Sequence, residues 1–174
     1  IDDVLIAFND YTKELYESTG DNDSFIGITR LIRKADNYGG NNRTEGFTNM
    51  IDLVGYADVG YYLSEYSEIL ANAVYDAMVY YGVSDYHPDA QGLSMYFPLQ
   101  FTSGVDLAIF SQIATSPYYL AYVDRMAYSM THGGNMEKYT GFERIFEGWN
   151  NYWAGDAYKD PDAFLEKSGL SKYY

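Results

Sequence analysis

The sequence predicts a predominantly helical α/β chain, and three observations carry that expectation. Apolar residues recur at intervals of three and four through most of the periodic segments, the spacing of a helix with one buried face. Of the 174 residues, 47% are hydrophobic, enough for a packed core. One run, Gly92-Leu93-Ser94-Met95-Tyr96-Phe97-Pro98, reads as a strand instead: Leu93, Met95 and Phe97 alternate with Ser94 and Tyr96. Gly92 frees the entry to this strand, and Pro98 lacks the N–H that would extend a ladder. A strand needs partners for its backbone donors and acceptors. Few other segments here read as strands, so the expected sheet is completed by polypeptide outside this chain.

Taken in order, Val4, Leu5, Phe8, Tyr11, Leu15 and Tyr16 predict a helix over residues 2–18, with Asp2 and Asp3 at the end where the dipole favours anions. The turn-forming cluster Thr19-Gly20-Asp21-Asn22-Asp23-Ser24 follows, and Asp23 or Ser24 is the expected cap of a second helix. That helix turns Phe25, Ile28, Leu31, Ile32 and Ala35 inward and Arg30, Arg33 and Lys34 outward, and ends at Gly39-Gly40-Asn41-Asn42. Residues 49–66 read as a helix opened near Asp52 and loosened by Gly55 and Gly60. A further helix over 67–81 carries a wide stripe of Ile69, Leu70, Ala73, Val74, Ala77, Met78 and Tyr81, and residues 83–91 form the loop into the strand. Residues 105–113 are apolar without a distinct period. Ser116-Pro117 is a helix start, a capping hydroxyl followed by proline at the first helical position, with Leu120, Val123, Ala127 and Met130 on one stripe up to Gly133-Gly134. Residues 143–153 form a helix bearing Ile145, Phe146, Trp149 and Trp153, and Asp160-Pro161-Asp162 opens a short last one closed by Gly169. No internal repeat or Pro-rich linker marks a domain boundary.

Charge narrows the partners. A formal net charge of −14, with only 11 Lys and Arg, argues against nucleic acid, whose phosphates need clustered cations. No apolar run approaches the roughly 20 residues that span a bilayer, so a membrane-spanning helix is not expected. The chain starts at Ile1 without Met and without a signal-peptide pattern, as an internal fragment would. Cysteine is absent, which removes disulfides, thiolate metal sites and a cysteine nucleophile from these residues. Tyrosine is over-represented, at 21 residues beside 2 Trp. Tyrosine suits half-wet positions, because its ring buries while its hydroxyl stays hydrogen-bonded. Boundary packing is therefore the plain account, and an aromatic platform for peptide or sugar the sharper one.

A helix ending Leu31-Ile32-Arg33-Lys34-Ala35, the segment Met50-Ile51-Asp52-Leu53 with Tyr56-Ala57, a long helix, and the strand at 92–98 together resemble the region downstream of the catalytic cysteine in clostripain-like cysteine peptidases. The likeness covers about residues 26–98 and is loose beyond Pro98. It implies a caspase-like α/β sandwich to which residues 1–98 contribute the C-terminal part, with 99–174 a helical extension. It also implies a His–Cys dyad, cleavage after Arg or Lys, frequent secretion, and in many members calcium dependence and self-cleavage into two chains. The family's nucleophile and His-Gly motif lie N-terminal to the matched region, so no catalytic residue is carried over, and thiolate attack is impossible for this chain alone. The expected role is the C-terminal portion of such an endopeptidase, secreted or at the cell surface, supporting a separate N-terminal catalytic portion and its peptide substrate. Two alternatives are a non-catalytic extracellular module that holds peptide or glycan on an acidic, Tyr-rich surface, and a dead homologue serving as a scaffold.

Several residues invite chemical roles. His132, in Thr131-His132-Gly133-Gly134, echoes the His-Gly motif but follows the strand rather than preceding a nucleophile; a histidine at a helix C-terminus is explained by the dipole. His87 precedes Pro88 in a polar loop, and two isolated histidines make no zinc site. Asp21, Asn22 and Asp23, and separately Asp156, Asp160 and Asp162, offer oxygen ligands for calcium, yet neither set has the twelve-residue EF-hand loop, and helix capping accounts for both. Glu143 and Glu147, four apart, read as a solvated helix face. The sequence thus yields no catalytic, cofactor-binding or metal-ligating residue.

Overall fold

The computed structural model describes residues 1–38, 49–58, 64–98 and 104–139. Its elements are α1 (Asp2–Ser18), α2 (Asn22–Ile32), β1 (Met50–Asp52), α3 (Leu53–Asp58), α4 (Ser64–Ala77), β2 (Ser94–Tyr96), α5 (Gly104–Ser111) and α6 (Pro117–Thr131). The chain is therefore predominantly helical, with a two-stranded antiparallel sheet.

Helix α1 forms as its periodicity requires. Val4, Ala7, Phe8, Tyr11 and Leu15 are buried along one face, which packs on α4 and α6. Helix α2 buries Phe25, Ile28 and Ile32, and exposes Arg30. Its cap is Asp21 rather than Asp23 or Ser24: the Asp21 carboxylate accepts from Ser24 N at 2.9 Å, so the helix begins earlier than expected. The helix also stops at Ile32, seven residues before the glycines, because the backbone from Asp36 onward is drawn into pairing with β1.

The largest departure concerns residues 50–52. The apolar text around Asp52 fits a helix, but these residues form β1, with Met50 opposite Tyr96, Ile51 opposite Met95 and Asp52 opposite Ser94. A three-residue strand is too short for periodicity to betray, so tertiary pairing decides it. The helix opened by Asp52 is nevertheless real and begins one residue later as α3, whose Gly55 N–H binds the Asp52 carboxylate at 2.6 Å. Helix α4 ends at Ala77, short of the expected Tyr81, and of its stripe Leu70 and Val74 are buried while Ile69 faces outward. Residues 104–111, ambiguous by period, are helical.

Helix α6 starts as the Ser-Pro pair dictates, with Ser116 Oγ accepting from Tyr119 N at 3.2 Å. Its surroundings exceed a stripe, since Tyr119 through Ser129 are all buried. Neighbours close on it from several sides. Ser116 Oγ meets Thr12 Oγ1 of α1 at 2.7 Å, Tyr122 meets Thr29 of α2 at 2.8 Å, Tyr119 donates to the Tyr96 carbonyl of β2, and Tyr139 Oη donates to the Ala121 carbonyl at 3.3 Å. Four buried tyrosines, Tyr11, Tyr56, Tyr119 and Tyr122, line this junction, with Tyr11 edge-on to Tyr56 at 5.4 Å and Tyr56 edge-on to Tyr119 at 5.9 Å. Part of the tyrosine excess thus lies in the core, where each large ring removes apolar area from water.

Candidate functional site

Asp52 is the hub of the sheet end. It is 1% exposed, and its position as both last residue of β1 and cap of α3 turns its carboxylate back toward the loop before β2. Oδ1 accepts from Gly55 N, while Oδ2 accepts from Gln91 N at 2.7 Å and from the Tyr38 hydroxyl. Gly55 permits this approach, because a Cβ there would stand 3.2 Å from Oδ1. Burial, and then the hydrogen bond to Asp52, raise the Tyr38 phenol well above its ordinary value. Beside it, His87 Nδ1 lies 3.1 Å from Asp36 Oδ2, and the His87 ring stands edge-on to Tyr38 at 5.3 Å. One network therefore ties the strand-like residues 36–38, the end of β1 and the loop 84–91.

Against this network lies a cleft of about 740 Å³ whose walls include Tyr38, Met50, Met78, Tyr80, Tyr81 and Ser94. The loop beside it exposes apolar side chains in unusual density: Tyr80 is 89% and Tyr86 92% exposed, and Val79, Tyr81 and Val83 are also exposed. On the other side of β2, a groove of about 270 Å³ is walled by Val4, Leu5, Met95, Phe110, Ile113 and Tyr119. The described residues that line the two concavities carry no charged side chain, in a chain of net charge −14.

Between them, β2 pairs with β1 on one side and with no other strand among the described residues. β1 is sandwiched, since Asp52 N donates to Asp36 O and Tyr38 N to Met50 O on one edge, while Leu53 N donates to Leu93 O and Phe97 N to Asn49 O on the other. In an antiparallel ladder these bonds alternate. Leu93, Met95 and Phe97 therefore turn their backbone groups to β1, and Ser94 and Tyr96 turn theirs away. The Tyr96 carbonyl takes the Tyr119 hydroxyl, whereas the exposed Ser94 has no neighbouring strand among the described residues.

The residues singled out by sequence fall as follows. His132 caps α6, stacked on Tyr128 at 3.8 Å with Nδ1 2.8 Å from the Tyr128 carbonyl, a local structural arrangement. His87 is brought to Asp36 and Tyr38, a grouping that the sequence does not reveal. Asp21 is occupied as a helix cap, and among the described residues no group of three or more His, Cys, Asp or Glu is placed to hold a metal. Asp156, Asp160, Asp162, Glu143 and Glu147 lie outside the described residues, as do the helices expected at 143–153 and after 160. Asp52 was legible as a cap. Its long-range partners Tyr38 and Gln91 had no sequence signal.

No family model, curated protein or solved structure matches this chain.

Proposed function

We propose that this chain is the C-terminal portion of a clostripain-like cysteine endopeptidase, supporting a catalytic portion that supplies the His–Cys dyad. One observation carries the reading: the run Gly92-Leu93-Ser94-Met95-Tyr96-Phe97-Pro98, the most specific point of likeness to that family, contains a strand, Ser94–Tyr96, whose sheet has two short members among the described residues. Small sheets need further strands or helix cover for stability. A caspase-like sandwich continued by the catalytic portion would provide both. The absence of cysteine agrees with a supporting role, since the nucleophile must then come from the partner portion. Secretion, calcium dependence and cleavage after Arg or Lys follow only from the family likeness.

The test is mass spectrometry of the intact polypeptide from the source, followed by peptidase assay on Arg- and Lys-containing peptides. The expected result is a polypeptide or companion chain with a His-Gly motif and a reactive cysteine, active until alkylated by iodoacetamide, with the 174-residue chain alone inactive. A complete protein without that pair would overturn the reading.

A second reading, a binding module for peptide or glycan, draws on Tyr80, Tyr81 and Tyr86, which stand exposed on one loop. It predicts that peptide or oligosaccharide quenches tyrosine fluorescence in the isolated chain and that Tyr80→Ala removes the effect.

A further inference from the structure

We infer that residues 79–91 are a hinged flap over the cleft of about 740 Å³, pivoting where Met78 meets Gly92 and latched by the contact of His87 with Asp36. The flap governs access to the cleft whatever the cleft receives, and so goes beyond both functional readings above. The two ends of the loop stand at one place. Helix α4 ends at Ala77 and β2 begins at Ser94, and between them Met78 Sδ lies so close to Gly92 that a Cβ there would fall 2.5 Å from it. Residues 79–91 thus leave and return through a single point, the form of an Ω-loop. Gly92, at φ +113°, supplies a backbone conformation that other residues rarely adopt, and the returning chain turns there into β2.

No apolar anchor roots this loop in the core, since none of residues 79–91 is buried. A segment with few buried apolar contacts opens at a small cost compared with global unfolding. Its own bonds keep it in one piece: the Tyr81 hydroxyl donates to the Ala90 carbonyl, His87 N to Ser84 O at 3.1 Å, and Ala90 N to His87 O at 3.3 Å. Among the described residues, its bonds to the rest of the chain come from two positions. Gln91, next to the pivot, donates its N–H to Asp52 Oδ2 at 2.7 Å and accepts from the Tyr75 hydroxyl at 2.5 Å. His87, near the middle of the loop, lies 3.1 Å from Asp36 Oδ2 with its ring edge-on to Tyr38. A bond beside a pivot hardly moves, so the His87 contact decides whether the loop is down. The loop contributes Tyr80, Tyr81 and Ala90 to the cleft, and the body contributes Tyr38, Met50 and Ser94. Lifting the loop therefore removes one wall and uncovers Met50.

The test is oxidation of the 174-residue chain by dilute hydrogen peroxide, with the sulfoxide at each methionine followed by mass spectrometry. The chain holds no cysteine to compete for the oxidant. Met50, half-buried in the cleft, reports the flap, and Met126, 1% exposed in α6, reports the core. His87→Ala and Asp36→Ala are each expected to speed oxidation of Met50 by ~5-fold, the factor that one hydrogen bond commands in an opening equilibrium, and to leave Met126 unchanged. The double variant is expected to be no faster than the faster single one, because both changes break the same latch. Chymotrypsin cleavage after Tyr80, Tyr81 or Tyr86 should accelerate in step with Met50. Unaltered Met50 oxidation in the two single variants would overturn the inference. So would Met126 rising together with Met50, the sign of a chain loosened throughout, or effects that multiply in the double variant, the sign of two separate contacts.

Discussion

The Tyr38 hydroxyl donates to Oδ2 of Asp52 across fourteen residues of sequence, closing a carboxylate that already accepts from two backbone amides, Gly55 and Gln91. The Asp52 carboxylate thereby joins three segments: residues 36–38, the start of α3 and the loop before β2. Asp52→Ala leaves the two amides without their acceptor and is expected to destabilise by about 3 kcal/mol. Tyr38→Phe removes one bond to a charged acceptor, for about 2 kcal/mol. The double variant should cost measurably less than the sum in urea unfolding, because both changes delete the same contact.

Tyr56 presents the opposite case. Its hydroxyl is buried without a hydrogen-bond partner among the described residues, while that of Tyr122, equally buried, is held by Thr29 at 2.8 Å. Tyr56→Phe should therefore be neutral or stabilising by about 1 kcal/mol, and Tyr122→Phe destabilising by about 1 kcal/mol. Thermal melting of the two variants checks the contrast.

Burial raises the phenols of Tyr11, Tyr56, Tyr119 and Tyr122 above the ordinary value of 10.0. A raised folded-state value means that the unfolded chain loses these protons first as pH climbs. Their contribution is fully present below pH 10 and declines above it, by about 1.4 kcal/mol per group per pH unit. The protein should thus unfold cooperatively in alkali, and the part of the tyrosinate absorbance that belongs to these buried phenols should rise with the loss of helix, as a step separate from that of the exposed tyrosines.

Arg125 holds the end of α1 from α6. Its Nη1 donates to Thr19 O at 2.6 Å, Thr19 Oγ1 at 3.0 Å and Tyr16 O at 3.2 Å, and the guanidinium lies 4.2 Å from the Tyr16 ring. Arg125→Lys keeps the charge but loses the planar fork and its stacking, so it should cost about 2 kcal/mol and speed amide exchange in the last turn of α1.

Gly92 has φ +113°, and a Cβ there would fall 2.5 Å from Met78 Sδ. Gly92→Ala should destabilise by about 2 kcal/mol through both strain and overlap. Met78→Ala in the same chain should relieve the overlap and leave the backbone strain, a partial rescue visible in the melting temperature.

What the sequence determined by itself is local. The bounds of α1, the Ser116-Pro117 start of α6 and the alternation at 92–98 each follow from spacing and capping within a few residues, where helix and strand periods differ sharply. Tertiary structure decided the remainder. Residues 50–52 became a strand because residues 36–38 and β2 offered backbone partners on both sides, which outweighs helix propensity over so short a span. Helix α6 lost its polar face because α1, α2, β2 and Tyr139 surround it, and a periodic stripe cannot announce how many neighbours a helix will have. The grouping of Tyr38, Asp52, His87 and Asp36 was likewise invisible, since carboxylates and phenols far apart in the chain carry no mutual signal until folding removes the water between them.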